Sequence, residues 1–153
     1  MDKNLDVERR RSSAVVVAES ALEKGESLHP AHLSELLSIA VWMYTEAEGK
    51  YTTQYATVAS LNAGAKIRHE HVIPRLALRR AMLSAPHRVR EILSLAVACT
   101  VTQEEHRILG NGFGWHRYEG ATIQVVERRS RCAVDLATLA NDLDLAWDAA
   151  VAS

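Results

Sequence analysis

Two imidazoles, a carboxylate and three basic side chains crowd into one run, Lys66-Ile67-Arg68-His69-Glu70-His71-Val72-Ile73-Pro74-Arg75. The alternation predicts an extended strand: Ile67, His69, His71 and Ile73 fall on one face, and Arg68, Glu70 and Val72 on the other. Polar side chains in such a strand cost free energy unless their tips are hydrogen-bonded or used in chemistry. Imidazole and carboxylate together can take a proton from water or hold a divalent cation, and histidine does so near neutral pH.

A second polar group lies further on. Residues 97 to 102 (Val-Ala-Cys-Thr-Val-Thr) read as a short buried strand. Thr102-Gln103-Glu104-Glu105 has the spacing of a capping box, which opens a helix and puts His106 in its first turn. Residues 67 to 110 therefore read as strand, helical insert, strand and helix, with Glu70 and His71 on the first strand and His106 on the closing helix.

This order resembles the HNH (ββα-metal) nucleases over residues 66 to 110. Their first motif, an acid-His pair followed by two apolar residues and often proline, is matched by Glu70-His71-Val72-Ile73-Pro74. Their last, a strand leading into a short helix with a metal ligand, is matched by Thr100-Val101-Thr102-Gln103-Glu104-Glu105-His106. The resemblance implies metal-dependent hydrolysis of phosphodiester bonds in nucleic acid. His71 would be the general base. Glu70 and His106 would hold a divalent ion (Mg, Mn or Zn), and His69 would be a further ligand or phosphate contact. A base would deprotonate the attacking water, and the ion would neutralise the phosphorane and stabilise the departing oxygen. A buried histidine bonded to a backbone carbonyl explains His71 equally well.

Charge around this segment favours a polyanion. Between Lys66 and Arg90 seven basic residues face a single acid, Glu70, although the net charge of the chain is -1. Arg68, Arg75, Arg79, Arg80, Arg88 and Arg90 are the candidate phosphate contacts. The same arginines support an alternative, a small helical binding protein without catalysis that grips nucleic acid or occludes a protein partner. Tyr51, Tyr55, Trp115 and Tyr118 are then its interface anchors. A third reading, self-association through the apolar side of the last helix, rests on amphipathicity that core packing also explains.

The elements that must position these groups follow from periodicity. Helices are predicted over residues 5–24, 32–47, 76–83, from Val89 to Ala96, and 130–151, with a shorter one from Thr52 or Thr53 to Asn62. Further strand is expected over 121–126. Gly110-Asn111-Gly112-Phe113-Gly114 is a loop; it lacks the preceding strand and following helix of a nucleotide-binding fingerprint. The expected fold is α+β, a mostly helical single domain spanning residues 1–153, with a small antiparallel sheet carrying the His/Glu cluster. Within it, 1–63 form a helical part, 64–110 the nuclease-like core, and 111–153 a loop, strand and final helix.

Composition sets outer bounds. With 153 residues, 48% apolar and 24% charged, the chain can bury a core without metal or disulfide staples and is not of disordered type. Cys99 and Cys132 are too few for a disulfide framework or a zinc cluster. No stretch has the length of a membrane span or the form of a secretion signal, so no membrane partner and a cytoplasmic location are expected.

Overall fold

The computed structural model describes residues 3–152. It is a mixed α+β domain in which seven α-helices surround one four-stranded sheet among the described residues. A helical hairpin comes first, α1 (Lys3–Glu23) and α2 (Pro30–Thr45). Its seam is made of small and branched side chains, Ala14, Ala18 and Ala21 against Leu37, Ala40 and Val41, all buried. Pro30 opens α2, where its missing N–H is no loss, and His29 caps it by accepting from the Ala31 N–H at 3.2 Å.

The sheet is ordered β2-β3-β1-β4, with β1 at Tyr55–Thr57, β2 at Ile67–His71, β3 at Ala98–Thr102 and β4 at Val125–Glu127. The β2/β3 and β1/β4 pairs are antiparallel, and β1/β3 is parallel, so the sheet is mixed and not purely antiparallel. The expected short helix from residue 52 is absent. Tyr55–Thr57 is an interior strand, and only Ala59–Leu61 winds into a 3-10 turn. The reason is burial: Ala56 and Thr57 are enclosed between β3 and β4, while Val58, which helical spacing would put in the core, is 44% exposed.

Between β2 and β3 lies a helical insert, α3 (Arg75–Ser84) and α4 (Val89–Ser94), separated where Pro86 stops α3. Leu78, Met82, Val89, Ile92 and Leu93 carry it into the core. After β3 the chain enters α5 (Gln103–Leu109) through the anticipated capping box: Thr102 Oγ1 accepts from the Glu105 N–H at 3.1 Å, and Glu105 Oε2 from the Thr102 N–H at 2.7 Å. The same carboxylate accepts the Thr57 hydroxyl at 2.6 Å, fastening α5 to β1.

The short α6 (His116–Gly120) seats Trp115 and Tyr118 in the core at 2% and 0% exposure, so these two are packing residues and not surface anchors. Residues 121–124 turn instead of extending, with Thr122 at φ 57°, and strand begins only at Val125. The last helix, α7 (Leu136–Val151), starts at its Asp135 cap; the residues before it bridge Ala133 back to Val126. Among the described residues no helix is long and apolar enough to cross a membrane.

Because the last residue of β3, Thr102, is the N-cap of α5, the capping box sets where His106 stands relative to β2. Replacing Thr102 by alanine should lower stability by about 1 kcal/mol in urea unfolding, and Thr102→Ser should be close to neutral.

Candidate active site

The register of β2 against β3 pairs Glu70 with Cys99 and His69 with Thr100. Backbone bonds from the Val72 N–H to the Val97 carbonyl and from the Gln103 N–H to the Lys66 carbonyl flank this pairing. Even-numbered residues of β2 thus bond to β3, and the backbone groups of 67, 69 and 71 point to the open edge of the sheet. A cleft of about 640 Å³ runs along that edge and is lined from both faces of the strand.

On one face, Glu70 reaches two partners from elements that follow β3. His106 Nδ1 on α5 contacts its Oε2, and the Arg117 guanidinium on α6 sits 2.7 Å from its Oε1. Glu70 and Arg117 are both nearly enclosed, with side chains 8% and 9% exposed, whereas His106 is 47% exposed. Arg117 also donates to the carbonyls of His71 at 2.5 Å and Gly110 at 3.1 Å, so one guanidinium ties the end of β2 to the glycine loop. That loop leaves room for it. A Cβ at Gly112 would come within 3.0 Å of the Arg117 side chain, and Gly110 takes φ 56°.

The other face carries His69 and His71 against α2. His69 Nδ1 donates to the Lys50 carbonyl at 2.7 Å, which turns the lone pair of its Nε2 toward the Thr45 hydroxyl at 3.1 Å, a hydroxyl that also lies 3.0 Å from the Val41 carbonyl. Thr45 Oγ1 in turn lies 3.3 Å from His71 Nε2; with its one proton given to the Val41 carbonyl or to His69, it accepts from that nitrogen and leaves His71 Nδ1 with a lone pair. Both rings are neutral in this chain of bonds. Burial holds the His69 pKa below its ordinary value. Burial, reinforced by His69, Arg75 and Arg117, lowers that of His71 to about 3.

Trp42 closes this side. Its ring is 5.0 Å from His69 and 4.6 Å from His71, and the Arg75 guanidinium lies 4.9 Å over it. Arg75 and Arg79 are held by two serines one turn apart on α2, Ser38 Oγ at 3.0 Å and Ser34 Oγ at 2.8 Å.

The sequence-derived residues therefore separate into groups. Glu70, His71, His69 and His106 all line the cleft, with Arg68, Arg75 and Arg79. Glu70 and His106 touch; His69 and His71 belong to the Thr45 network, and both nitrogens of His69 are engaged. Arg80 and Arg88 line a different groove beside Trp147, Arg88 is paired with Glu91, and Arg90 lies 3.6 Å from Glu19. Sequence reasoning missed Arg117 and Trp42. The signal for Arg117 was a lone cation between Trp115 and Tyr118, aromatics that would bury it; Trp42 sits in an apolar helix and gave none.

Among the described residues no group of three or more His, Cys, Asp or Glu side chains is placed to hold a metal ion. The donor set at Glu70 and His106 does not suit zinc, which asks for three or four protein ligands. The carboxylate of Glu70 suits magnesium or manganese, which keep water and take phosphate oxygens for the rest of their coordination, and the His106 imidazole is a softer donor beside it. No family model, curated protein or solved structure matches the chain.

Two consequences are measurable. Removing Arg117 leaves Glu70 buried without its countercharge, so Arg117→Met should cost about 3–5 kcal/mol in urea unfolding, and the pair Glu70→Gln/Arg117→Met should recover part of that loss. His71 is neutral when folded and protonates near pH 6.5 when unfolded, so the unfolded chain takes up the extra proton as pH falls. Its contribution is complete above about pH 6.5 and is lost progressively down to about pH 3, where the folded form also protonates. The thermal midpoint should fall across that window, and the fall should be shallower in His71→Gln.

Proposed function

We propose that this chain hydrolyses phosphodiester bonds of nucleic acid in the cleft along β2, with a divalent metal ion. The observation that carries the reading is the meeting of Glu70 and His106, 36 residues apart, within a cleft whose walls bear Arg68, Arg75, Arg79 and Arg117. Phosphodiesters are anions, and a cleft lined by one sign of charge concentrates them. Arg79, fixed by Ser34, is oriented before the phosphate arrives, so little ordering cost falls on binding at that contact.

Glu70 and His106 are the residues that would hold the ion, which would supply Lewis-acid charge against the phosphate oxygens. Arg117 fixes the Glu70 carboxylate from behind. His71 offers its Nδ1 lone pair on the cleft wall and stays in the accepting form at neutral pH. Burial is the main cause of its lowered pKa, with His69, Arg75 and Arg117 adding to it, and a bound phosphate would offset the two arginine charges.

A second reading has an observation of its own. Both oxygens of Glu70 are already engaged, one by Arg117 and one by His106, which is how a purely structural carboxylate would be satisfied. Nucleic-acid binding without cleavage is the function that then follows from the arginines.

The two readings separate in one assay. Plasmid DNA, single-stranded DNA and RNA are incubated with Mg²⁺ or Mn²⁺ and with a chelator. Cleavage that needs the metal is expected, and Glu70→Gln, His106→Ala and His71→Ala should each lower it by about a hundredfold or more while binding persists. Metal-independent binding with a steep salt dependence and no cleavage of any substrate would establish the binding protein instead.

A further inference from the structure

We infer that the cleft takes an unpaired nucleotide, its base against Trp42 and its phosphate on the surrounding arginines, so that single-stranded nucleic acid is the ligand. The inference deepens the nuclease reading and rests on it for the choice of polymer. Trp42 is half-buried and lines the cleft wall that also carries His69, His71 and Arg75, opposite the Glu70–His106 pair. Two imidazoles pack against the indole, so three flat rings lie together on this wall.

Phosphate binding alone does not call for an indole; arginines suffice for that. An aromatic wall beside cationic side chains is the combination that recognises a strand whose bases are free to stack, because every base offers a π face and every linkage an anion. The volume agrees. About 640 Å³ lies within the range of pockets that enclose a small molecule, which suits one or two nucleotides. A duplex keeps its bases stacked on one another and could present only its backbone here, unless the nucleotide were swung out of the stack at a cost.

The contact that now covers the ring is replaceable. Arg75 lies 4.9 Å over Trp42, and a cation–π contact at a half-exposed ring is weaker than base stacking on an aromatic side chain. An entering base exchanges the first for the second and frees the guanidinium for the phosphate of the same nucleotide. Lys50 Nζ also lies over the ring, 5.8 Å from its centroid, a contact that an entering base would exchange in the same way.

The test measures binding in a chelator, so that cleavage is not required. Short single-stranded DNA and RNA oligonucleotides and hairpin duplexes of the same composition are titrated against the whole chain and against Trp42→Leu and Trp42→Phe. Single strands should bind about tenfold or more tightly than duplex, with quenching of tryptophan emission that Trp42→Phe removes. Trp42→Leu should lose about tenfold on single strands and little on duplex, and Trp42→Phe, which keeps a ring in the packing with the imidazoles, should retain most of the preference. Comparing the DNA and RNA arms shows which sugar is accepted. Equal affinity for duplex and single strand, or single-strand affinity indifferent to both substitutions, overturns the inference. In the metal-containing cleavage assay, equal cleavage of duplex and single strand would also overturn it while leaving the nuclease reading intact, and a Trp42-dependent single-strand preference in binding with no cleavage there would do the reverse.

Discussion

The enclosed ion pair between Glu70 and Arg117 is the constraint on which the rest of the site depends. Taking a carboxylate and a guanidinium out of water costs several kcal/mol per ion, and the attraction between them offsets that only when the remaining hydrogen-bonding capacity is also filled. Here it largely is. Glu70 gives its second oxygen to His106, and Arg117 spends its other N–H groups on the carbonyls of His71 and Gly110. Three segments distant in sequence, β2, α5 and the glycine loop running into α6, are thereby fixed relative to one another by one charge pair. Its Nε, buried without a partner, is the part of the accounting left open.

Edge position explains how side chains from opposite faces of one strand come to share a cleft. In an interior strand Glu70 and His71 would be separated by the sheet itself. At the end of the order β2-β3-β1-β4, the strand has a rim, and the cleft wraps around it. The same position would leave β2 a template for unwanted pairing. Arg68 and Arg117 reduce that hazard by donating to the edge-facing carbonyls of Ile67 and His71. Protection of the edge and construction of the cleft therefore use the same side chains.

The parts legible in the sequence were those governed by local rules. Alternation placed β2, the capping box placed α5 with His106, and three-four spacing placed the long helices, because each depends on residues within one or two turns of one another. What was not legible depended on sheet order. Tyr55, Val58, Ala59 and Leu61 satisfy a helical pattern, and only the presence of β3 and β4 on either side makes 55–57 a strand. Arg80 and Arg88 look equivalent to Arg75 and Arg79 in sequence, yet the packing of α3 on α2 sends the first pair to another groove. Trp42 has the hydropathy of its neighbours in α2, and nothing local says that its ring would border solvent.

The neutral histidines and the charged triad divide the labour of a polar interior in two different ways. On the α2 face, His69 and His71 meet at the Thr45 hydroxyl, which with His69 also reaches backbone carbonyls, and neutral rings there leave no charge to desolvate. On the α5 face, charge is retained but matched, one carboxylate against one guanidinium. The arginines that remain, Arg68, Arg75 and Arg79, have no acid to match them among the described residues that line the cleft, where Glu70 is the one acid and is already committed to Arg117. The walls thus keep a positive excess that internal pairing does not consume, and an anion entering the cleft meets a field that folding has left unbalanced.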